Sequence, residues 1–176
     1  MAETLATIRR AAPCAMISIR ADLGRAGDAL AEATGLAMPE QVRIVTDGSR
    51  ALGWMSPDEL LLIGPLDARN EMRDACDQAL AGEHGLVLDV SDMRVMFAIE
   101  GPRADDVIRK LCPVDLDAMP QDGMRRTRAA QVGVAIWREG DGGGRGWRLI
   151  CFRSVADYVE TILRNAAIPG AHLAPR

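Results

Sequence analysis

The sequence predicts an α+β fold of two similar halves, each running β-α-β-β-α, with mostly antiparallel sheet. Three observations lead there. Apolar residues alternate with the period of a half-buried strand and then shift to helical spacing, in both halves. Turn residues separate these runs, among them Ser56-Pro57-Asp58, Gly101-Pro102 and the glycines of residues 140–146. The same order of elements recurs over about residues 14–82 and 86–167 of the 176-residue chain, which makes a single domain of two halves.

In the first half, residues 14–20 read as a strand and a helix follows to about Thr34. Gly35 closes it, since glycine accepts the left-handed conformation beyond a helix end. Pro39 opens a connection, and residues 42–45 form a short strand. Residues 51–55 and 59–63 flank Ser56-Pro57-Asp58, where proline presets φ for the second turn position. Asp67 is expected to cap a helix that ends at Gly82, with Met72, Ala75, Cys76 and Ala79 on one face.

The second half repeats the order. Met93, Val95, Phe97 and Ile99 alternate onto one face of a strand. Gly101 turns the chain, and Pro102 suits the first helical position, where its missing N–H costs nothing. Asp105 and Asp106 fall in the first turn, near the positive end of the helix dipole. Ala104, Val107, Ile108 and Leu111 make the apolar stripe, and Pro113 ends the helix just after Cys112. Residues 127–138 and 147–152 form a hairpin after Pro120. Ser154, with Asp157 three residues on, caps a last helix whose buried stripe is Val155, Tyr158, Val159, Ile162 and Ala166. Trp54 and Trp137 hold similar places in the two halves.

Composition narrows the function. Hydrophobic content of 48% and charged content of 26% are globular values. Aromatics are only 3%, so stacking on flavin, folate or bases has few residues to use. The longest apolar run, residues 60–66, falls far short of the ~18 residues a membrane span needs. Glu3 and two arginines behind the first apolar residues do not follow signal-peptide order, and the chain is expected to be cytoplasmic. Cys14, Cys76, Cys112 and Cys151 are widely spaced on apolar strands or helices and read as free buried thiols. His84 and His172 lie in polar, loop-like sequence, and no spacing of cysteine and histidine suggests a metal.

No motif carries catalysis. Residues 140–146 lack the Gly-Lys-Ser/Thr ending of a phosphate loop and join two strands, so they read as a flexible hairpin loop. Asp58-Glu59 and Asp105-Asp106 have no base or nucleophile beside them and read as solvated or capping carboxylates. Ser91 lacks a nucleophile elbow. Charge says more. Arginines 125, 126, 128, 138, 145, 148 and 153 stand against Glu139 and Asp141, a local +5 in a chain of net −4. Arginine suits carboxylate pairing, either across a partner interface or in a cross-strand ladder. Nucleic acid is disfavoured, because the basic residues lack interleaved aromatics and the whole chain is acidic.

Four segments also resemble one family. The stretch Asp89-Val-Ser-Asp-Met-Arg-Val-Met-Phe-Ala-Ile-Glu-Gly-Pro102 with the helix to Cys112-Pro113 and on to Asp117, and the hairpin Ala51-Leu-Gly-Trp-Met-Ser-Pro-Asp-Glu-Leu-Leu-Leu-Ile-Gly-Pro65, are similar to the gamma subunit of heterotetrameric sarcosine oxidase. So are the strand region from Pro120 to Arg138 and the closing helix Phe152-Arg-Ser-Val-Ala-Asp-Tyr-Val-Glu-Thr-Ile-Leu163. Leu60 and Met119 depart from the larger aromatics this family would place there.

The resemblance implies a fold similar to the folate-binding domain of the glycine-cleavage T-protein group. It implies a complex that oxidises sarcosine in sarcosine catabolism. FAD, FMN, NAD and tetrahydrofolate would sit on partner subunits, with no cofactor, catalytic residue or metal on this chain. The chain would be a non-catalytic structural subunit that binds the large flavin- and NAD-carrying subunit. The alternatives are a stand-alone folate-binding aminomethyltransferase-like protein, against which the chain is short, and an orphan scaffold domain. The expected interface is an apolar patch from Trp54 and Leu60 and from Pro113 and Leu116, rimmed by Arg125, Arg126 and Arg128. Neither nucleic acid nor membrane is expected as a partner, and the isolated chain is a candidate homodimer.

Overall fold

The computed structural model describes residues 4–139 and 146–170. In chain order its strands are β1 Thr7–Arg10, β2 Ala15–Ala21, β3 Ile44–Thr46, β4 Ala51–Ser56, β5 Glu59–Gly64, β6 Gly85–Asp89, β7 Arg94–Glu100, β8 Met124–Ala129, β9 Val132–Glu139 and β10 Gly146–Phe152. The helices are α1 Leu23–Thr34, α2 Arg69–Ala79, α3 Ala104–Leu111 and α4 Ala156–Ala166. The described residues divide into two compact units: Pro13–Asp92, and the chain from Met93 onward joined by the N-terminal residues up to Ala12.

The Pro13–Asp92 unit is built on an antiparallel sheet in the order β3-β4-β5-β2-β6. Ile17 and Ile19 of β2 lie opposite Leu62 and Leu60 of β5. These four join Ala26 and Leu30 of α1 and Met72 and Cys76 of α2 in one core. The Asp22 carboxylate accepts from the Gly24 N–H at 3.0 Å and so caps α1. Gly35 ends the helix at φ 70°, donating to the carbonyls of Ala31 and Glu32.

The second unit has the sheet order β1-β7-β10-β9-β8, again antiparallel throughout. Its core gathers Phe97, Ile99, Leu149 and Ile136 from the strands, Val107 and Ile108 from α3, and Val159 and Leu163 from α4. Written as β8-β9-β10-β7-β1, this order matches the first sheet strand for strand. The edge place that β6 takes in one unit is taken by the N-terminal β1 in the other. In both sheets the second face is buried as well: Met16, Leu61 and Ile63 in the first, Ala98, Ala135, Ile150 and Trp137 in the second. The fold is mixed α+β, with two antiparallel sheets and, among the described residues, four helices.

Several local expectations are corrected. Residues 127–138 are not one strand: Ala130, at φ 52°, and Gln131 turn the chain between β8 and β9, and the Ala130 N–H donates to the Leu111 carbonyl at 2.8 Å. β1 and β6 are additional strands. α3 begins at Ala104 rather than Pro102, with Arg103 at its N-cap. Asp67 and Ser154 lie in 3₁₀ turns, and neither α2 nor α4 has a side-chain hydrogen bond at its N-cap. α2 ends at Ala79, ahead of Gly82. Met93 and Tyr158 are exposed, and the buried stripe of α4 is Ala156, Val159, Leu163 and Ala166. Leu60 and Met119 are both buried, one in the core of each unit. Among the described residues no helix is long and apolar enough to cross a membrane.

Gly101 couples the two ends of the second unit. Its φ of 146° is glycine territory, and a Cβ there would stand 3.1 Å from Ala6 Cα and 3.2 Å from the Leu5 carbonyl oxygen. Gly101→Ala is therefore expected to lower stability by about 1–3 kcal/mol. The urea midpoint reads it, and an unchanged midpoint contradicts this reading.

Candidate partner-binding surface

The arginines singled out by the sequence split into two populations. Arg138 on β9 lies over the Trp147 ring, 4.3 Å from its centroid. Its Nη1 and Nη2 donate to Asp105 at 3.0 and 3.4 Å, and Nη2 also donates to the Leu116 carbonyl at 3.3 Å. Trp147 Nε1 donates to the same carboxylate at 2.8 Å. Burial disfavours charge on Asp105, but the hydrogen bonds from Trp147 and Arg138 outweigh it and hold the carboxyl below the ordinary aspartate range. Arg148 bridges Glu100 at 3.4 Å and Glu139, and Arg9 binds Glu100 at 2.7 Å. Arg9, Glu100, Arg148 and Glu139 form a cross-strand ladder over β1, β7, β10 and β9, whereas Arg138 ties β9 to α3.

Arg125, Arg126 and Arg128 form the other population. They are exposed on β8, an edge strand of the sheet. Arg125 and Arg128 pair with no acid among the described residues. Exposed arginine on an edge strand both blocks unwanted strand pairing and offers donors to a partner's carboxylates.

The apolar half of the expected surface is corrected. Leu60 is fully buried opposite Ile19, and Leu116 is buried in the core of the other unit beneath Arg138. Neither can form an exposed patch. Pro113 is exposed, and Trp54 is half-buried beside a shallow cleft of about 430 Å³ that Leu23, Met38, Gln41 and Pro57 also line. Trp54 and Leu60 belong to the Pro13–Asp92 unit, whereas Pro113, Leu116 and the three arginines belong to the other.

The remaining polar groups serve the fold. Glu59, expected to be solvated, is buried; it accepts from Ser18 Oγ at 3.2 Å and pairs with Arg20 at 3.0 Å. Asp105 and Asp106 turn to different partners, the latter to Arg103 at 2.7 Å. Ser91 Oγ accepts from the Met16 N–H at 3.0 Å and donates to Asp89. Asp22 already places a carboxylate at the N-terminus of α1, where a phosphate would otherwise bind. Among the described residues no group of three or more His, Cys, Asp or Glu side chains could hold a metal. The glycine run at 140–145, with Asp141 and Arg145, and His172 lie outside the described residues. All four cysteines are free thiols.

The sequence model of the sarcosine oxidase gamma subunit family matches residues 20–169. The chain belongs to that family. Sarcosine oxidase subunit gamma of Corynebacterium sp. (strain U-96) is 36% identical over 171 residues, covering 93% of this chain and 80% of the relative. The subunit from Corynebacterium sp. (strain P-1) is 38% identical over 165 residues, covering 90% and 78%. A chain of the solved heterotetrameric sarcosine oxidase from Corynebacterium sp. U-96, in complex with pyrrole 2-carboxylate, superimposes with a TM-score of 0.84 at 32% identity, over 96% of this chain and 88% of that one. The glycine cleavage aminomethyltransferase T from Bartonella henselae shares the fold at a TM-score of 0.64 and 14% identity, over 90% of this chain and 45% of that one.

Two measurements follow from the geometry of this gamma-subunit family member. The Asp105 carboxyl, held below its unfolded value of about 3.9, contributes stability that is complete above that pH and lost as pH falls through the folded value. Asp105→Asn is expected to flatten the acid limb of the stability–pH curve; an unaltered limb refutes the linkage. Burial raises the Cys76 and Cys151 thiols to about 11 and Cys112 to about 12, whereas Cys14 is only half-buried. Native alkylation followed by peptide mass mapping should label Cys14 first. Earlier labelling of Cys76, Cys112 or Cys151 contradicts their burial.

Proposed function

We propose that this chain is a non-catalytic structural subunit of a sarcosine oxidase complex, packed against the large subunit that carries flavin and NAD. The observation that carries the reading is its likeness, along nearly its whole length, to a chain of the heterotetrameric enzyme. The geometry supports it. The acids and arginines inside the fold are consumed by structural pairs, while Arg125, Arg126 and Arg128 stand outward on an edge strand. FAD, FMN, NAD and tetrahydrofolate belong to the partner subunits in this reading, and the complex demethylates sarcosine oxidatively in the cytoplasm. The matching strand orders favour one domain produced by duplication of a single unit.

Co-expression with the large subunit of the complex tests the proposal. The two chains are expected to co-purify and stay together in 0.5 M salt, where the screening length is about 4–5 Å. Separate elution at every salt concentration refutes it. Replacing Arg125, Arg126 and Arg128 together by serine should slow association more than it speeds dissociation, because exposed charge acts chiefly on encounter. Surface plasmon resonance separates the two rates, and an effect confined to dissociation counts against a steering role.

A further inference from the structure

We propose that the free edge of β6 is a docking site for an extended strand of the large subunit, one with aliphatic side chains at alternate positions and basic residues around them. The proposal rests on the subunit reading above and names a surface for it. Exposed sheet edges offer unpaired N–H and C=O groups, and proteins guard them with charge, proline, bulges or brevity. Among the described residues the two sheets have four edges, and three of them are guarded. β3 has only three residues, β8 carries Arg125, Arg126 and Arg128, and β1 carries Arg9 and Arg10 in ion pairs. The fourth, Gly85-Leu-Val-Leu-Asp89, has no basic residue or proline, and its pairing with β2 runs without a bulge.

The register shows what β6 offers. The Val90 N–H donates to the Met16 carbonyl at 2.8 Å. Alternation along an antiparallel ladder then directs the backbone of Leu88 and Leu86 to β2 and that of Gly85, Val87 and Asp89 to the open side. Leu86 and Leu88 are 54% and 44% exposed and project from one face, while Val87 packs on the core. This is the arrangement that strand addition uses: outward main-chain groups give affinity, and alternate side chains give register.

Charge specifies the occupant further. Residues 13–92 carry fourteen acids against six arginines, and five of those arginines already pair with acids of the same unit. Glu83 and Asp92, which flank β6, pair with Arg25 and Arg69, Asp74 on α2 pairs with Arg73, and Arg20 opposite Leu86 pairs with Glu59. The bias at this edge comes from the acids the six arginines leave over, Asp77 on α2 among them. A basic strand is favoured there, and an acidic one, or an acidic second copy of this unit, is opposed.

Hydrogen exchange on the co-expressed complex and on the isolated chain tests this. Val87 and its neighbours with outward amides should exchange at least about tenfold more slowly in the complex, as a bonded amide does. Val87→Pro removes one outward donor and leaves the β2 ladder intact, since proline is tolerated on an edge. It should keep the wild-type urea midpoint and weaken association about tenfold or more, and Leu86→Lys with Leu88→Lys should weaken it further than the matching glutamates. If the midpoint of Val87→Pro falls, wild-type exchange decides alone. A complex that forms with β6 amides exchanging as in the free chain overturns the strand-docking proposal only. Failure of the wild-type chains to co-purify overturns the subunit reading itself. Protection of β6 in the isolated chain that grows with concentration assigns the edge to a second copy and overturns the large-subunit assignment.

Discussion

The inner strands of both sheets bury both faces, and the rest of the structure follows from that. An antiparallel sheet ordinarily leaves one face to water, with polar residues at every second position. β5 shows the departure: all six residues Glu59–Gly64 are buried. Polar side chains enter such a sheet only with a partner, because an unpaired buried charge is more costly than any one contact repays. Glu59 is held by Ser18 and Arg20, and Arg138 by Asp105, Leu116 and the face of Trp147. The interior therefore has little room for reactive chemistry, and interaction passes to strand edges and exposed loops.

Charge divides along the same lines as the fold. Residues 13–92 are net −8, and the rest of the chain is net +4. A modest overall charge hides this asymmetry. Complementary patches of opposite sign speed encounter and select orientation more than they add affinity, which suits a subunit of a larger complex.

Much of the fold was legible because its signals are local. α1 was readable from helical spacing and Gly35, and the end of α3 from Pro113: Cys112 is extended, as the residue before a proline prefers. The failures have a different origin. β1 contains two arginines whose partners, Glu100, Asp157 and Glu160, lie far along the chain, so nothing nearby announces a strand. The turn at Ala130 uses a positive φ without glycine or asparagine, secured by the Leu111 carbonyl. Ser154 and Asp157 have the spacing of a capping box, yet Asp157 is drawn to Arg10. At the surface, arginines 125, 126 and 128 were found by charge. Leu60 and Leu116 were misplaced because apolar residues beside turns look alike whether they close a core or face a partner.

In the proposed role this chain contributes an interface and no cofactor chemistry. Native mass spectrometry of the co-expressed complex, with collisional release of single subunits, tests it most directly. The chain is expected to leave the assembly at its bare sequence mass of 19.0 kDa, with every flavin retained by the remaining subunits. Release of this chain carrying a flavin or folate mass, or its absence from the assembly, would contradict the account.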